Sequence, residues 1–317
     1  MTSPNATKML TIPRTDLTVY PLCLGGNVFG WSATEEESFA ILDSYFETGG
    51  NFIDTADIYS EWKDGNTGGD SEIIIGNWMK SRGNRSKMVI ATKVAKFSKR
   101  PGLSADNIRG AAKDSLHRLQ TDYIDLYYAH EDDETVTLEE TNQAFNELVT
   151  DGKVRYLGAS NFTGARLKES TEFSAANNLT QYIAIQNHYN LLERNEYETD
   201  MAPVLTNLGI SCLPFFGLAR GFLSGKYKEG VTVNSVRAGG VKDYQNERGW
   251  KVIAQLEEIA LVHEVSVGAV ALAWLRSQET VSVPIASART VAQLTQIMAV
   301  VELSSREIDD LSLITAY

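Results

Sequence analysis

The stretch NFIDTADIY, Asn51 to Tyr59, reads as a buried strand, NFID, running into a polar turn. The strand carries an acid, Asp54, at its end, and a phenol, Tyr59, follows five residues later. Upstream lies ATEEESFAILDSYFETGG, in which Thr34 and Glu37 form a capping-box pattern and Phe39, Leu42, Tyr45 and Phe46 recur at helical spacing. Gly49 and Gly50 supply the stop. A strand, a polar loop and a capped amphipathic helix thus form one unit, and the rest of the chain repeats it.

Working outward, the same grammar gives strands at LCLG before the first helix, MVIATK ending at Lys93, YIDLYYAH ending at His130 and VRYLGAS ending at Ser160. YIAIQ ends at Gln186, ISCLPF at Phe215 and VSVPIAS at Ser287. Between them lie helical patterns such as SADNIRGAAKDSLHRL, where Ile108, Ala111, Ala112, Ser115 and Leu119 share a face, and TLEETNQAFNELV, opened by Thr137 and Glu140. Alternation of this kind argues for parallel strands with helical crossovers, and eight such units without a compositional break predict one closed (β/α)8 barrel domain over residues 1–317. An open dinucleotide-binding sheet would show G-x-G-x-x-G after its first strand, and LGGNVFGW from Leu24 to Trp31 lacks that spacing. Met9 to Cys23 reads as an N-terminal hairpin with a PRTD turn. A long loop is expected from Phe216 to about Gly249, and SSREIDDLSLI, capped by Ser304 and Glu307, as an extra C-terminal helix.

A formal net charge of −12 argues against nucleic acid or an anionic membrane surface as partner. The longest apolar stretch, around Ala269 to Leu275, is far short of the roughly 18 to 20 residues that span a bilayer, and the start MTSPNATKML lacks a secretion signal, so a cytoplasmic protein is expected. Cys23 and Cys212 sit in apolar runs and are expected to be buried thiols; no cysteine or histidine spacing suggests a metal. The oligomeric state is left open.

In a barrel of this kind, chemistry is carried at the C-terminal ends of the strands. There stand Asp54, Lys93, His130, Asn161, Gln186, Phe215 and Ser287, with Tyr59 close behind. The set Asp54, Tyr59, Lys93 and His130, in the settings FIDTADIY, VIATK and DLYYAH, resembles the aldo-keto reductase family. GASN at Gly158 to Asn161, IQNHYN at Ile185 to Asn190 and LARGFLSGKY at Leu218 to Tyr227 match the same layout, so the resemblance runs essentially from Met9 to the tail.

The resemblance implies reduction of an aldehyde or ketone, with hydride reaching the carbonyl carbon and a proton its oxygen. Tyr59 would be the acid. A phenol with a pKa near 10 needs a cation beside it, implied to be Lys93, itself held by Asp54, while His130 would donate to the carbonyl oxygen. For the cofactor the resemblance implies Gly26 and Asn27 after the first strand, with Ser160, Asn161 and Gln186 at the carboxamide. Phe215 would stack on the nicotinamide, where the family more often has Tyr. Leu218, Arg220, Ser224 and Lys226 would lie along the pyrophosphate. PIASARTVAQL resembles the adenosine-phosphate segment, with Ser287, Arg289 and Gln293 in contact, and Arg289 as the partner of a 2′-phosphate makes NADPH the expected cofactor. Ser287 replaces the more usual Gly, and an Asn often found shortly after Gln293 is absent.

Substrate walls are expected from Phe29, Trp31, Trp62 and Phe97, which suit an apolar or aromatic small-molecule carbonyl but also stack on sugar rings, so an aryl aldehyde, a diketone and a sugar-derived carbonyl all stay open. Asp132 and Asp133 after His130 are read as solvated loop acids, with contact to a hydroxyl-rich substrate as the alternative. Two other functions are compatible with the pattern: a Schiff-base lyase using Lys93, and a cofactor-binding regulatory subunit that keeps the same four residues.

Overall fold

The computed structural model describes residues 7–231, 233 and 238–317. Residues 1–6, 232 and 234–237, which fall in the amino-terminal stretch and the long loop, lie outside the described residues.

A short hairpin opens the chain: β1 (Leu10–Thr11) pairs antiparallel with β2 (Thr18–Val19). Eight parallel strands follow: β3 (Cys23–Gly25), β4 (Phe52–Asp54), β5 (Val89–Val94), β6 (Ile124–Ala129), β7 (Val154–Ser160), β8 (Tyr182–Gln186), β9 (Ser211–Cys212) and β10 (Ile285–Ala286). Their order, β10-β3-β4-β5-β6-β7-β8-β9, is sequential around one sheet, with helices on the crossovers. Cys212 N–H donates to Thr280 O at 2.7 Å, and Ile285 N–H donates to Pro214 O at 3.0 Å, so the last strand's approach closes the circle onto β9. The result is the expected (β/α)8 barrel with its N-terminal hairpin. Cys23 belongs to the barrel and not to the hairpin, because its N–H is spent on Pro284 O at 3.0 Å.

Alternation along the strands divides the apolar residues into two clusters. Cys23, Phe52, Ala91, Leu126, Tyr128, Leu213 and Val283 pack together inside the barrel, and the hairpin seals its floor with Ile12, Leu17 and Val19. Tyr128 takes space that only glycine leaves on the next strand: a Cβ at Gly158 would stand 2.3 Å from the Tyr128 ring. The other cluster joins strands to helices and includes Ile53, Ile90 and Tyr127, with Ile108, Ala111, Ala112 and Leu119 of helix Ala105–Leu119.

Capping follows the sequence closely. Thr34 and Ser304 make full capping boxes with Glu37 and Glu307 at helices Glu35–Glu47 and Ser305–Ile314, the second being the extra C-terminal helix. Thr137 caps helix Leu138–Thr150 alone, because Glu140 turns away to accept from Ala105 N–H at 2.8 Å. Asn246 caps a helix that begins at Glu247, near the expected end of the long loop. Cys23 and Cys212 are free and buried. Among the described residues no single helix is long and apolar enough to cross a membrane.

Candidate active site

Parallel pairing brings every strand's C-terminal end to one rim, and the in-register neighbours Asp54 of β4 and Ala91 of β5 place Lys93 two residues further up the barrel axis. Lys93 Nζ donates to Asp54 Oδ2 at 2.6 Å, to Thr55 O at 2.8 Å and to Tyr59 Oη at 2.9 Å. An ammonium has three protons, and all three are used. Both charged side chains are almost fully buried, at 1% and 2% exposure. Burial pulls the Lys93 ammonium below its usual range while Asp54 opposes that pull, and the ion pair retains the cation.

Tyr59 reaches this pair because its turn is anchored to strand ends: Thr55 N–H donates to Ala91 O and Asp57 N–H to Lys93 O. Its hydroxyl lies 3.3 Å from Asp54 Oδ2, a long contact. The His130 ring sits edge-on to Tyr59, with centroids 6.0 Å apart. Burial, reinforced by the charges of Lys93 and Lys96, pushes the His130 imidazole well below its usual range, so the ring is neutral at physiological pH and keeps one N–H to donate.

These groups open on a cavity of about 420 Å³. Its lining takes Asn27, Asp54, Tyr59, Trp62 and His130 from the first half of the chain and Ser160, Asn161, Gln186, Phe215, Leu218, Arg220 and Ser287 from the second. Lys93 lies beneath it. Asn161 sits in the left-handed region (φ 56°) and turns its amide to donate to His130 O at 2.8 Å and Ser160 Oγ at 3.0 Å. Gln186 Nε2 donates to Asp54 Oδ1 at 2.7 Å. Ser287 Oγ donates to Asn27 Oδ1 at 2.7 Å, in space left by Gly25, whose Cβ would meet that oxygen at 2.5 Å. Phe215 stacks on His188 with centroids 5.6 Å apart and planes 15° from parallel.

Other expected residues lie off this lining. Gly26 is buried beside it, its N–H donating to Asp54 O at 2.7 Å. Ser224 Oγ donates to Gly221 O, and Lys226 is exposed with its ammonium 5.0 Å from the Tyr227 ring centre. Gln293 spends its side-chain oxygen on Arg289 N–H at 3.0 Å, and the Arg289 side chain is half-buried at the start of helix Val291–Met298. Of the four aromatics expected as walls, Trp62 lines the cavity; Trp31 stands behind it in edge contact at 5.7 Å. Phe29 is fully buried in the strand–helix core, because Ser60 Oγ ties its carbonyl inward. Phe97 packs away from the cavity, where a Cβ on Gly68 would touch its ring. Asp132 pairs with Arg166 at 2.9 Å and Asp133 accepts from Leu103 N–H, so both acids serve structure and neither is simply solvated.

Three further residues, Lys96, Phe216 and Ser71, matter here. Lys96 and Phe216 line the cavity. Ser71 links the site's two loops, accepting from Thr55 Oγ at 2.9 Å and donating to Gly26 O at 2.8 Å. Lys96 was legible as a second lysine three positions after Lys93; Ser71 carried no signal, because its role depends on contacts 16 and 45 residues away.

A profile of the Aldo/keto reductase family matches residues 21–316. Norsolorinic acid reductase A of Aspergillus parasiticus is 32% identical over 320 residues, covering 94% of this chain and 79% of its own. Protein tas of Escherichia coli is 33% identical over 316 residues, covering 89% and 90%. Aryl-alcohol dehydrogenase [NADP(+)] of Phanerodontia chrysosporium is 31% identical over 309 residues, covering 89% and 78%. With the barrel and the rim constellation already in place, these similarities make the chain a member of the aldo/keto reductase family and an oxidoreductase.

Proposed function

We propose that the protein reduces an aldehyde or ketone with NADPH, using Tyr59 as general acid. The observation that carries this reading is the three-way contact of Lys93 with Asp54, Thr55 and Tyr59. Lys93 gives one proton to the Tyr59 oxygen, so the phenol's own proton points elsewhere, and its contact with Asp54 is long, at 3.3 Å. A carbonyl oxygen entering the cavity offers that proton a better acceptor. Lys93 stabilises the phenolate left behind, and Asp54 keeps Lys93 charged in its buried position. His130, neutral and facing Tyr59, supplies a second donor to the same oxygen.

The residues present fit a nicotinamide cofactor. Asn161 and Gln186 each keep an amide oxygen, and Phe215 offers a ring braced by His188. Leu218 and Arg220 continue along the cavity, Ser224 and Lys226 follow on the same loop, and Gly26 and Asn27 close the opposite side. When bound, the cofactor supplies hydride to the carbonyl carbon. Arg289, half-buried at a helix start, would meet a 2′-phosphate in a bidentate fork with Ser287 and Gln293 beside it, which favours NADPH over NADH.

The Schiff-base alternative is less well supported, since Lys93 has every proton committed and does not face the cavity. A regulatory subunit can keep the same four residues, so turnover decides between the two readings.

Loss of NADPH absorbance with a panel of aldehydes, ketones and quinones tests the reading. Turnover is expected in the wild type and is lost by about a hundredfold or more in Tyr59→Phe, the usual scale of general acid catalysis. The variant should still bind NADPH, followed by tryptophan fluorescence. Full turnover without the hydroxyl would assign the acid elsewhere.

A further inference from the structure

The substrate end of the cavity carries a cation that the reductase reading leaves without a task. Lys96 lines the cavity together with Tyr59, Trp62 and His130. Its placement is over-determined. Ala95, the residue before it, is fully buried and held at φ 120°, a conformation that L residues avoid and that persists only under outside constraint. The constraint is visible: Gly102 N–H donates to Ala95 O at 2.8 Å, and His130 N–H donates to Val94 O at 2.8 Å. On the far side, Ser98 N–H and hydroxyl both donate to the carboxylate of Glu61, the neighbour of Trp62. The loop carrying Lys96 is thereby tied to the loop carrying the aromatic wall.

Charge on the cavity lining is not balanced within the lining itself. Asp54 is neutralised by Lys93, and His130 is uncharged. Among the described residues lining the cavity, the remaining cations are Lys96 and Arg220. Arg220 stands on the loop after Phe215, 4.9 Å from the Phe216 ring centre, on the side assigned to the cofactor. Lys96 is therefore the charge a substrate meets. Its partner, Glu131, is 3.3 Å away and does not line the cavity. With the two side chains 32% and 45% exposed, the pair is of the solvent-accessible kind that is readily exchanged for another anion.

Resting on the reductase reading, we propose that Lys96 selects the substrate: the preferred compounds are aromatic carbonyls bearing an anionic group, a carboxylate or ionised phenol, beside the reacting carbonyl. The aryl group packs on Trp62, the carbonyl oxygen lies between Tyr59 and His130, and the anion takes the place of Glu131 at the ammonium. The proposal adds no covalent step.

The test compares kcat/KM for ortho-carboxybenzaldehyde and its uncharged methyl ester in the wild type, Lys96→Met and Glu131→Gln. A wild-type preference for the acid of about tenfold is expected, the scale of one charge-assisted hydrogen bond. Lys96→Met should bring the ratio close to one, and Glu131→Gln should raise it, since the lysine is then released from its own partner. Taking the ratio removes any effect that Lys96 has on both substrates through His130. Reduction of the ester with no preference for the acid, or a preference that survives Lys96→Met, overturns the proposal while leaving the reductase reading intact. Reduction of neither compound by protein that turns over other carbonyls of the panel overturns the proposal alone, and no turnover with any carbonyl overturns both.

Discussion

Gln186 and Asp54 lie 132 residues apart in sequence and share a buried hydrogen bond of 2.7 Å, from Nε2 of the amide to Oδ1 of the carboxylate. Asp54 is therefore held from two sides, by Gln186 on one oxygen and Lys93 on the other. With Nε2 bonded to Asp54, Gln186 keeps its amide oxygen, which under the proposed function would accept from the cofactor carboxamide while the same side chain braces Asp54.

Gln186→Leu should accordingly cost more than a cofactor contact. It leaves a buried carboxylate oxygen unpaired, a loss of about 1 to 3 kcal/mol. Lower kcat, weaker cofactor binding and a lower unfolding midpoint are expected together. An effect confined to cofactor affinity would show that the bond to Asp54 is incidental.

Lys93→Met should destabilise the fold by about 3 kcal/mol, because it strands the Asp54 charge in the interior. Adding Asp54→Asn removes that charge, so the double variant should regain most of the stability in chemical denaturation while staying inactive. Recovery of activity along with stability would contradict the role given to the lysine.

Arg289→Ala should weaken NADPH binding by about tenfold or more and leave NADH within about twofold, the loss expected for hydrogen bonds to a charged phosphate. Titration of each cofactor against tryptophan fluorescence measures both. An equal loss for the two would remove the 2′-phosphate contact.

Asp57, between Asp54 and Tyr59, is buried, with Oδ1 unpaired among the described residues. Burial, with Glu72 nearby, raises its pKa from 3.8 to about 8. The folded chain thus holds a proton that the unfolded chain releases, so this group's contribution to stability declines as pH rises from about 4 through about 8. Asp57→Asn cannot titrate. Its thermal midpoint should fall less steeply than the wild type's between about pH 5 and pH 9 and exceed it at the alkaline end. Parallel profiles would place the carboxylate in a better-solvated setting.

Much of the site was legible because a parallel barrel sends all strand ends to one rim. Asp54, Lys93, His130 and Gln186 needed only their strands to be located, and the hydrophobic runs located them. Loop residues obey no such rule. Phe29 and Trp62 are both aromatics following a strand, yet Ser60 holds the first in the core while the second stands 48% exposed at the cavity. Gln293 also holds a backbone N–H of Arg289, a contact its spacing does not announce, and Glu140 leaves its own helix cap for Ala105.

By itself the sequence determined the repeat of strand and helix, the principal helix caps and the residues set at the rim, because those follow from local periodicity and capping chemistry. Tertiary structure alone decided which loop side chains turn inward. The contacts that orient them, Gln186 to Asp54, Ser98 to Glu61 and Gly102 to Ala95, join segments whose proximity exists only once the barrel has closed.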